Sequence, residues 1–515
     1  MIERLCTHSR LALSLFLTAF LSSPLAIAAT SHQPAAQFLG GAGSKIDGHW
    51  EGVMDRDGAK MTIGFDFKTQ DGETSIRFSS DSWMVMDWPV GALQYEPPKL
   101  HFNLGGDSGD RTAFDGTLDG NTIAGRFAGS EGQGSFSLRR VAPVSLPYNR
   151  EEVSFHNGGV TLFGTLLIPR GHGPHPAIVL VHGSLAETRW GTIRFFADRL
   201  VRRGIAALVY DKRGTGASTG DWKTATYEDL SDDALAGIHL LQQRKDIHTD
   251  RIGAFGHSEG GAVVTIMAAR SKDVAFIISA DGTAGPSYKQ DLFRVQKIVE
   301  SNGFSKEEVA KAMAFYTMWL QVARTGHRRE QLDAEIPKVE NEKWFDLVAP
   351  PPKDHWAWTE YRKRADFDSL IYWAKVKVPV LLLYGELDEK VPVTESIEQI
   401  DETLRAGGNP DYTEILIPRA QHNLTVHPAP GSAVYLPNAS AGRPVRAWHL
   451  PHLQDGAAAT SVIGMVAPCS RINRSLGGLG ASTNRRHARR LQPQLALISS
   501  GLCPSDGQPF RNPVW

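Results

Sequence analysis

Two hydrophobic rhythms divide the chain. Between residues 45 and 140, short segments such as AKMTIGFDFK, TSIRFSS and KLHFNLG alternate apolar with polar positions, and Gly, Asp and Asn separate them. Period-two alternation with such punctuation predicts antiparallel hairpins in a small all-β sandwich or barrel. The stretch LDGNTIAG reads as one of its hairpin turns. From residue 150 the apolar runs become continuous, as in VTLFGTLLIP, HPAIVLVHGS, IAALVYDKRG, RIGAFGHSEGG, FIISADG, VPVLLLYGELD and YTEILIP. Helical periods over 192–203 and 227–243 fall between some of these runs. That alternation predicts βαβ units around a buried, mostly parallel central sheet, an α/β architecture over residues 150–430. From about 285 to 372 the strand rhythm stops. A helical pattern rich in aromatics replaces it, with Phe315, Tyr316, Trp319, Trp344, Trp356, Trp358, Tyr361 and Trp373. An insertion of this size between two sheet strands predicts a helical cap above the strand ends. Most of its aromatics are expected to form the cap's own core, and a few to line a pocket.

Composition adds compartment and boundaries. A chain of 515 residues is too long for one ordinary core, and a net charge of −1 gives no broad attraction to nucleic acid. At the N-terminus, Arg4 and Arg10 flank a basic region, Leu11 to Leu21 is apolar, and Ala26-Ile27-Ala28 supplies small residues at a cleavage site. Residues 1–28 therefore read as a secretory signal peptide, which places the mature protein in the periplasm or outside the cell. The apolar run is too short for stable membrane insertion. Residues 45–140 carry no cluster of chemistry-bearing side chains, so a packing role is expected for them over a binding or shielding one. Cysteine occurs only at 6, 469 and 503, leaving the central part without a disulfide framework or thiol chemistry. Residues 431–515 differ sharply from the rest, with nine Arg, two acids, no Lys and no Glu. They read as an irregular basic tail whose composition suggests translation out of the original frame.

The chemistry centres on Gly256-His257-Ser258-Glu259-Gly260. This G-x-S-x-G follows an apolar strand and precedes the helix-like GAVVTIMAARS, the context of a nucleophile elbow with Ser258 at its tip. A serine hydroxyl needs a base, and in this arrangement the order along the chain is Ser, acid, His. Asp388, just after the strand VPVLLLYG, is the expected acid, with Glu386 as its rival. His422, after YTEILIP, is the expected base, with His427 nearby. The oxyanion hole is expected from the backbone N–H of Glu259 and of Ser184, with Leu185 as the alternative to Ser184. Asp211 and Arg213 in DKRGTGAST read as braces of a glycine-rich loop, and His182 as a loop-bracing residue. No metal-binding spacing and no nucleotide loop is present, so no cofactor and no metal are expected.

Together, HGS at 182–184, DKRGTGAST at 211–219, GHSEGG at 256–261, GELDEKVP at 385–392 and RAQHNL at 419–424 resemble the α/β-hydrolase superfamily. Within it the chain resembles secreted bacterial serine hydrolases of the serine aminopeptidase-like and acylaminoacyl-peptidase-like group. The resemblance covers residues 150–425. It implies acyl transfer on a small-molecule ester or a short peptide, and its motifs are specific for fold and triad but not for substrate. Members of this group usually carry a helix after the catalytic histidine, whereas here the altered tail begins close behind His422. A carboxylic ester hydrolase is the leading expectation. An aminopeptidase or acyl-peptidase would need a cap carboxylate for the substrate amine, with Glu335, Glu340, Glu342 and Glu360 as candidates. An inactive binding or scaffold protein is the third. The oligomeric state is not legible.

Overall fold

The computed structural model describes residues 45–426, except 57, 106–111, 130–131 and 144. The expected signal peptide, the basic tail and His427 lie outside the described residues.

The first nine strands are β1 (Gly48–Arg56), β2 (Ala59–Gln70), β3 (Glu73–Ser80), β4 (Val85–Pro89), β5 (Gln94–Glu96), β6 (Lys99–Leu104), β7 (Thr112–Asp119), β8 (Thr122–Gly129) and β9 (Gly132–Val141). They form one antiparallel sheet in the order β4-β3-β2-β1-β9-β8-β7-β6-β5. The alternation buries one face: in β3, Ile76 and Phe78 point inward while Arg77 does not. Phe65 on β2 lies 5.1 Å from Phe102 on β6, although four strands separate them in the sheet. Rings so far apart in strand order can touch only if the sheet coils back on itself, so the core is closed by curvature rather than by a second sheet. Gly125 makes part of this possible, because a Cβ there would sit 1.9 Å from the Asp115 carbonyl oxygen on the neighbouring strand.

The second sheet has β10 (Tyr148–Asn157), β11 (Val160–Pro169), β12 (His175–Val181), β13 (Ala206–Tyr210), β14 (Ile247–His257), β15 (Ile277–Ala280), β16 (Val380–Gly385) and β17 (Tyr412–Ile417). Its order is β10-β11-β13-β12-β14-β15-β16-β17. The pairs on β10/β11 and β11/β13 are antiparallel, and every pair from β13 to β17 is parallel. Helices α1 (Thr192–Val201), α2 (Tyr227–Gln242) and α3 (Glu259–Arg270) intervene between its earlier strands. Because helices cover it, its central strands carry runs buried on both faces; Ala177–Val181 and Ile252–His257 are buried residue after residue.

Between β15 and β16 lie α4 (Ser287–Ser301), α5 (Lys306–Thr325), α6 (Arg329–Val339), α7 (Phe345–Val348), α8 (Ala357–Arg364) and α9 (Leu370–Trp373). Ser305 and Glu308 cap α5 reciprocally, which fixes where that longest helix begins. Phe315, Tyr316, Trp319 and Trp344 are buried among themselves with Trp358 and Tyr361 against them, forming a core separate from that of the sheet. Trp373 belongs instead to the sheet's core, and Trp356 meets Trp222 edge-on at 4.9 Å. A last helix, α10 (Val393–Ala406), joins β16 to β17.

Candidate active site

Strand β14 ends at His257, α3 begins at Glu259, and Ser258 alone makes the turn, with φ 54° and ψ −117°. That left-handed backbone is costly for a residue with a Cβ and persists only when its surroundings impose it. Here the backbone N–H of Ser258 donates to the Ala280 carbonyl at 2.8 Å. The flanking glycines are required sterically: a Cβ on Gly256 would sit 2.0 Å from the Gly260 carbonyl oxygen, and one on Gly260 2.5 Å from that of Val181.

Parallel pairing of β14, β15, β16 and β17 brings the turns after these strands to the same edge of the sheet. Asp388 follows β16, and its Oδ1 accepts from the backbone N–H of Lys390 at 2.7 Å and of Val391 at 3.0 Å. Its Oδ2 faces His422 Nδ1 at 2.8 Å. A carboxylate can only accept, so Nδ1 carries the proton and Nε2 is left as the acceptor. Nε2 lies 2.9 Å from Ser258 Oγ. The structure thus joins Ser258, His422 and Asp388 in one hydrogen-bonded line, with Asp388 and His422 both 8% exposed. Glu386, the rival acid, accepts instead from the Arg419 N–H at 2.9 Å and braces the loop that carries His422.

Of the expected oxyanion donors, Glu259 supplies the first N–H of α3, at the positive end of a helix dipole beside the serine. Ser184 is exposed on the loop after β12, and Leu185 has φ 69°. A Cβ on Gly183 would fall 3.5 Å from Ser258 Cβ, so this loop's backbone lies against the serine. The Gly183 N–H donates to Glu187 Oε2 at 3.2 Å, and burial pushes the Glu187 carboxyl above the usual range.

Sequence reasoning missed the anchoring of Glu259. Its side chain accepts from Lys212 Nζ at 3.1 Å and from Arg364 Nη1 of α8 at 3.0 Å, and all three are 4% exposed. Lys212 Nζ also donates to the Gly183 carbonyl, tying both expected oxyanion segments to one cation. Arg364 further donates to the Trp222 and Ala225 carbonyls at 2.7 and 2.8 Å and to Glu360 Oε1 at 3.1 Å. Burial pushes the Glu360 carboxyl up to about 7. Glu340 and Glu342 are exposed, and Glu335 pairs with Lys338 at 2.8 Å.

Asp211 and Arg213 do not pair with each other. Asp211 accepts from the Arg189 and Ala217 N–H groups at 3.0 Å each, and Arg213 grips Asp233 at 2.6 and 2.8 Å. His182 Nε2 donates to the Tyr210 carbonyl, and burial with the nearby Lys212 charge pushes its pKa down to about 3. His257 Nε2 donates to the His422 carbonyl at 3.2 Å, and burial likewise brings it down to about 3.

A second missed residue is Asp281, at the end of β15. It is 0% exposed, and one of its carboxylate oxygens lies within 4.8 Å of ligand atoms of both Asp388 and His422. These three form the one cluster of His and carboxylate atoms close enough to hold a metal ion among the described residues. The 2.8 Å separation of His422 Nδ1 and Asp388 Oδ2 is a hydrogen-bond length, which commits those atoms to each other.

The family model for serine aminopeptidase, S33, matches residues 172–428. Esterase EstD of Thermotoga maritima is 33% identical over 35% of this chain and 43% of its own length. The bifunctional esterase/perhydrolase DCH of Acinetobacter calcoaceticus is 25% identical over 45% of this chain and 81% of its own. The chain spans less than half the length of the first curated relatives it matches. Among solved structures, the Pyrococcus furiosus esterase Pf2001 is 19% identical with a TM-score of 0.38, covering 56% of this chain and 89% of that one.

Proposed function

The chain belongs to the α/β-hydrolase superfamily, and from that premise we propose that it is an exported serine hydrolase cleaving carboxylic esters through an acyl-enzyme. The observation that carries this reading is the hydrogen-bonded line from Ser258 Oγ through His422 to Asp388. His422 Nε2 takes the hydroxyl proton as Oγ attacks the ester carbonyl, and Asp388 stabilises the imidazolium. The N–H of Glu259, with that of Ser184 or its alternative Leu185, holds the oxyanion. His422 then gives its proton to the departing alkoxide, and a water activated by the same nitrogen releases the acid. Relatives named as esterases support ester over peptide. So does the pairing of Glu360 with Arg364: a carboxylate already facing a guanidinium is a poor anchor for a substrate amine. Export rests on the leader pattern of residues 1–28.

A fluorophosphonate probe is expected to label the wild-type protein at Ser258 and not the Ser258→Ala variant. That variant should lose about 10⁶-fold in kcat on p-nitrophenyl acyl esters. Turnover of aminoacyl-nitroanilides in place of esters would transfer the assignment to the peptidase reading. An unlabelled wild-type serine would leave a binding or scaffold protein. N-terminal sequencing of the exported protein should find a start just after Ala28.

A further inference from the structure

The triad line leaves a third buried carboxyl without a role. Asp281 ends β15 in a left-handed conformation, φ 51°, and is held there by its own N–H, which donates to the Leu383 carbonyl at 2.8 Å. Its Oδ1 accepts from the Gly385 N–H at 2.8 Å, while no donor among the described residues reaches the buried Oδ2. Backbone strain of this kind, fixed by the neighbouring strand, aims the side chain toward Asp388 and His422 rather than away from them.

We propose that Asp281 is a positioning residue: a neutral carboxyl that shares a single proton with Asp388 and stands in reserve as the partner of the His422 imidazole. The inference rests on the triad reading above. Two carboxylates this close in a site without bulk water do not both ionise. The charge settles where more donors meet it. Asp388 has two backbone N–H groups and the imidazole N–H. Asp281 has one N–H. The proton therefore stays on Asp281, whose carboxyl burial and the Asp388 charge both hold well above the usual carboxylate range. The other titratable groups around it do not compete for that proton. Tyr384 donates its hydroxyl to the Gly282 carbonyl, and His257 donates to the His422 carbonyl. The hydroxyl on Oδ2 then donates to Asp388 and holds its carboxylate toward His422. When Asp388 is removed, Asp281 ionises and faces the imidazole itself.

Four full-length variants test this on p-nitrophenyl acetate across pH, with fluorophosphonate labelling alongside. Asp281→Asn keeps a donor of the same shape and should stay within about threefold of wild type. Asp281→Ala should lose about tenfold in kcat at unchanged KM. Asp388→Ala should remain at least about tenfold more active than Asp388→Ala combined with Asp281→Asn, and only the single variant should gain activity as Asp281 loses its proton with rising pH. Equal activity of those last two variants at every pH overturns the reserve role. Asp281→Asn falling as far as Asp281→Ala overturns the proton-donor role. Wild-type protein that the probe leaves unlabelled at Ser258 fails the triad reading instead, so the two failures are distinguishable.

Discussion

His182 and His257 are neutral imidazoles whose N–H groups each hold a carbonyl beside the site, Tyr210 for one and His422 for the other. Burial is the chief cause of their depressed basicity, and both sit near 3 against an ordinary value of 6.5. As pH falls below 6.5 the unfolded chain takes up these protons before the folded one does. The stability they contribute is therefore complete above 6.5 and is lost as pH falls toward 3. At pH 5 each histidine has forfeited about 2 kcal/mol. Urea unfolding of the full chain should show a loss of about 4 kcal/mol from these two between pH 7 and pH 5. His182→Gln, which keeps a donor for Tyr210 but cannot be protonated, should remove about half of that slope. Equal slopes in the two proteins would contradict the assignment.

The strand–turn–helix of β14 and α3 is the element on which the proposed chemistry depends, and its tolerance is set by backbone contacts. A methyl group on Gly256 has no flexible side chain to push aside, because the atom it meets is the Gly260 carbonyl oxygen. Gly256→Ala should therefore displace the start of α3, destabilise the fold by about 3 kcal/mol and remove most probe labelling at Ser258. Wild-type labelling and an unchanged melting temperature would refute the steric account. The cap reaches the same element through α8, since Arg364 meets Glu259 and the Trp222 and Ala225 carbonyls at once. The helix that presents Ser258 is thus gripped from the cap as well as from the sheet.

Across the whole molecule, the first sheet is seated through β3 and β4 on the segment that runs into α1. Met86 and Gly191 exchange backbone hydrogen bonds of 3.1 and 2.9 Å, and the Arg77 guanidinium lies 4.3 Å over the Trp190 ring. Beneath them Arg194, fully buried, pairs with Asp87 at 3.1 Å and donates to the Tyr148 hydroxyl at 3.2 Å. These contacts land on residues 190–194, where the loop that follows β12 and carries Ser184 runs into α1. Asp87→Ala would strand the Arg194 charge inside the protein, at a cost of about 3–5 kcal/mol. Thermal unfolding of the full chain should register that loss, with ester turnover falling as the loop loses its seat; a melting temperature within a degree of wild type would contradict it. The two rhythms of the fold, the elbow glycines and the chain order Ser258, Asp388, His422 were all legible beforehand, because period, spacing and order are properties of neighbouring residues. The closure of the first sheet was not, since Phe65 and Phe102 meet only once the sheet curves. By itself, then, the sequence determined which segments become strands and helices and which side chains are candidates for acyl transfer. Only the tertiary structure decided which groups surround them. Arg364 reaches Glu259 across 105 positions, and Asp281 meets the Gly385 N–H across 104, with the cap helices in between. Neither contact leaves a local pattern, because each exists only after β15 and β16 have become neighbours and the cap has settled over their ends.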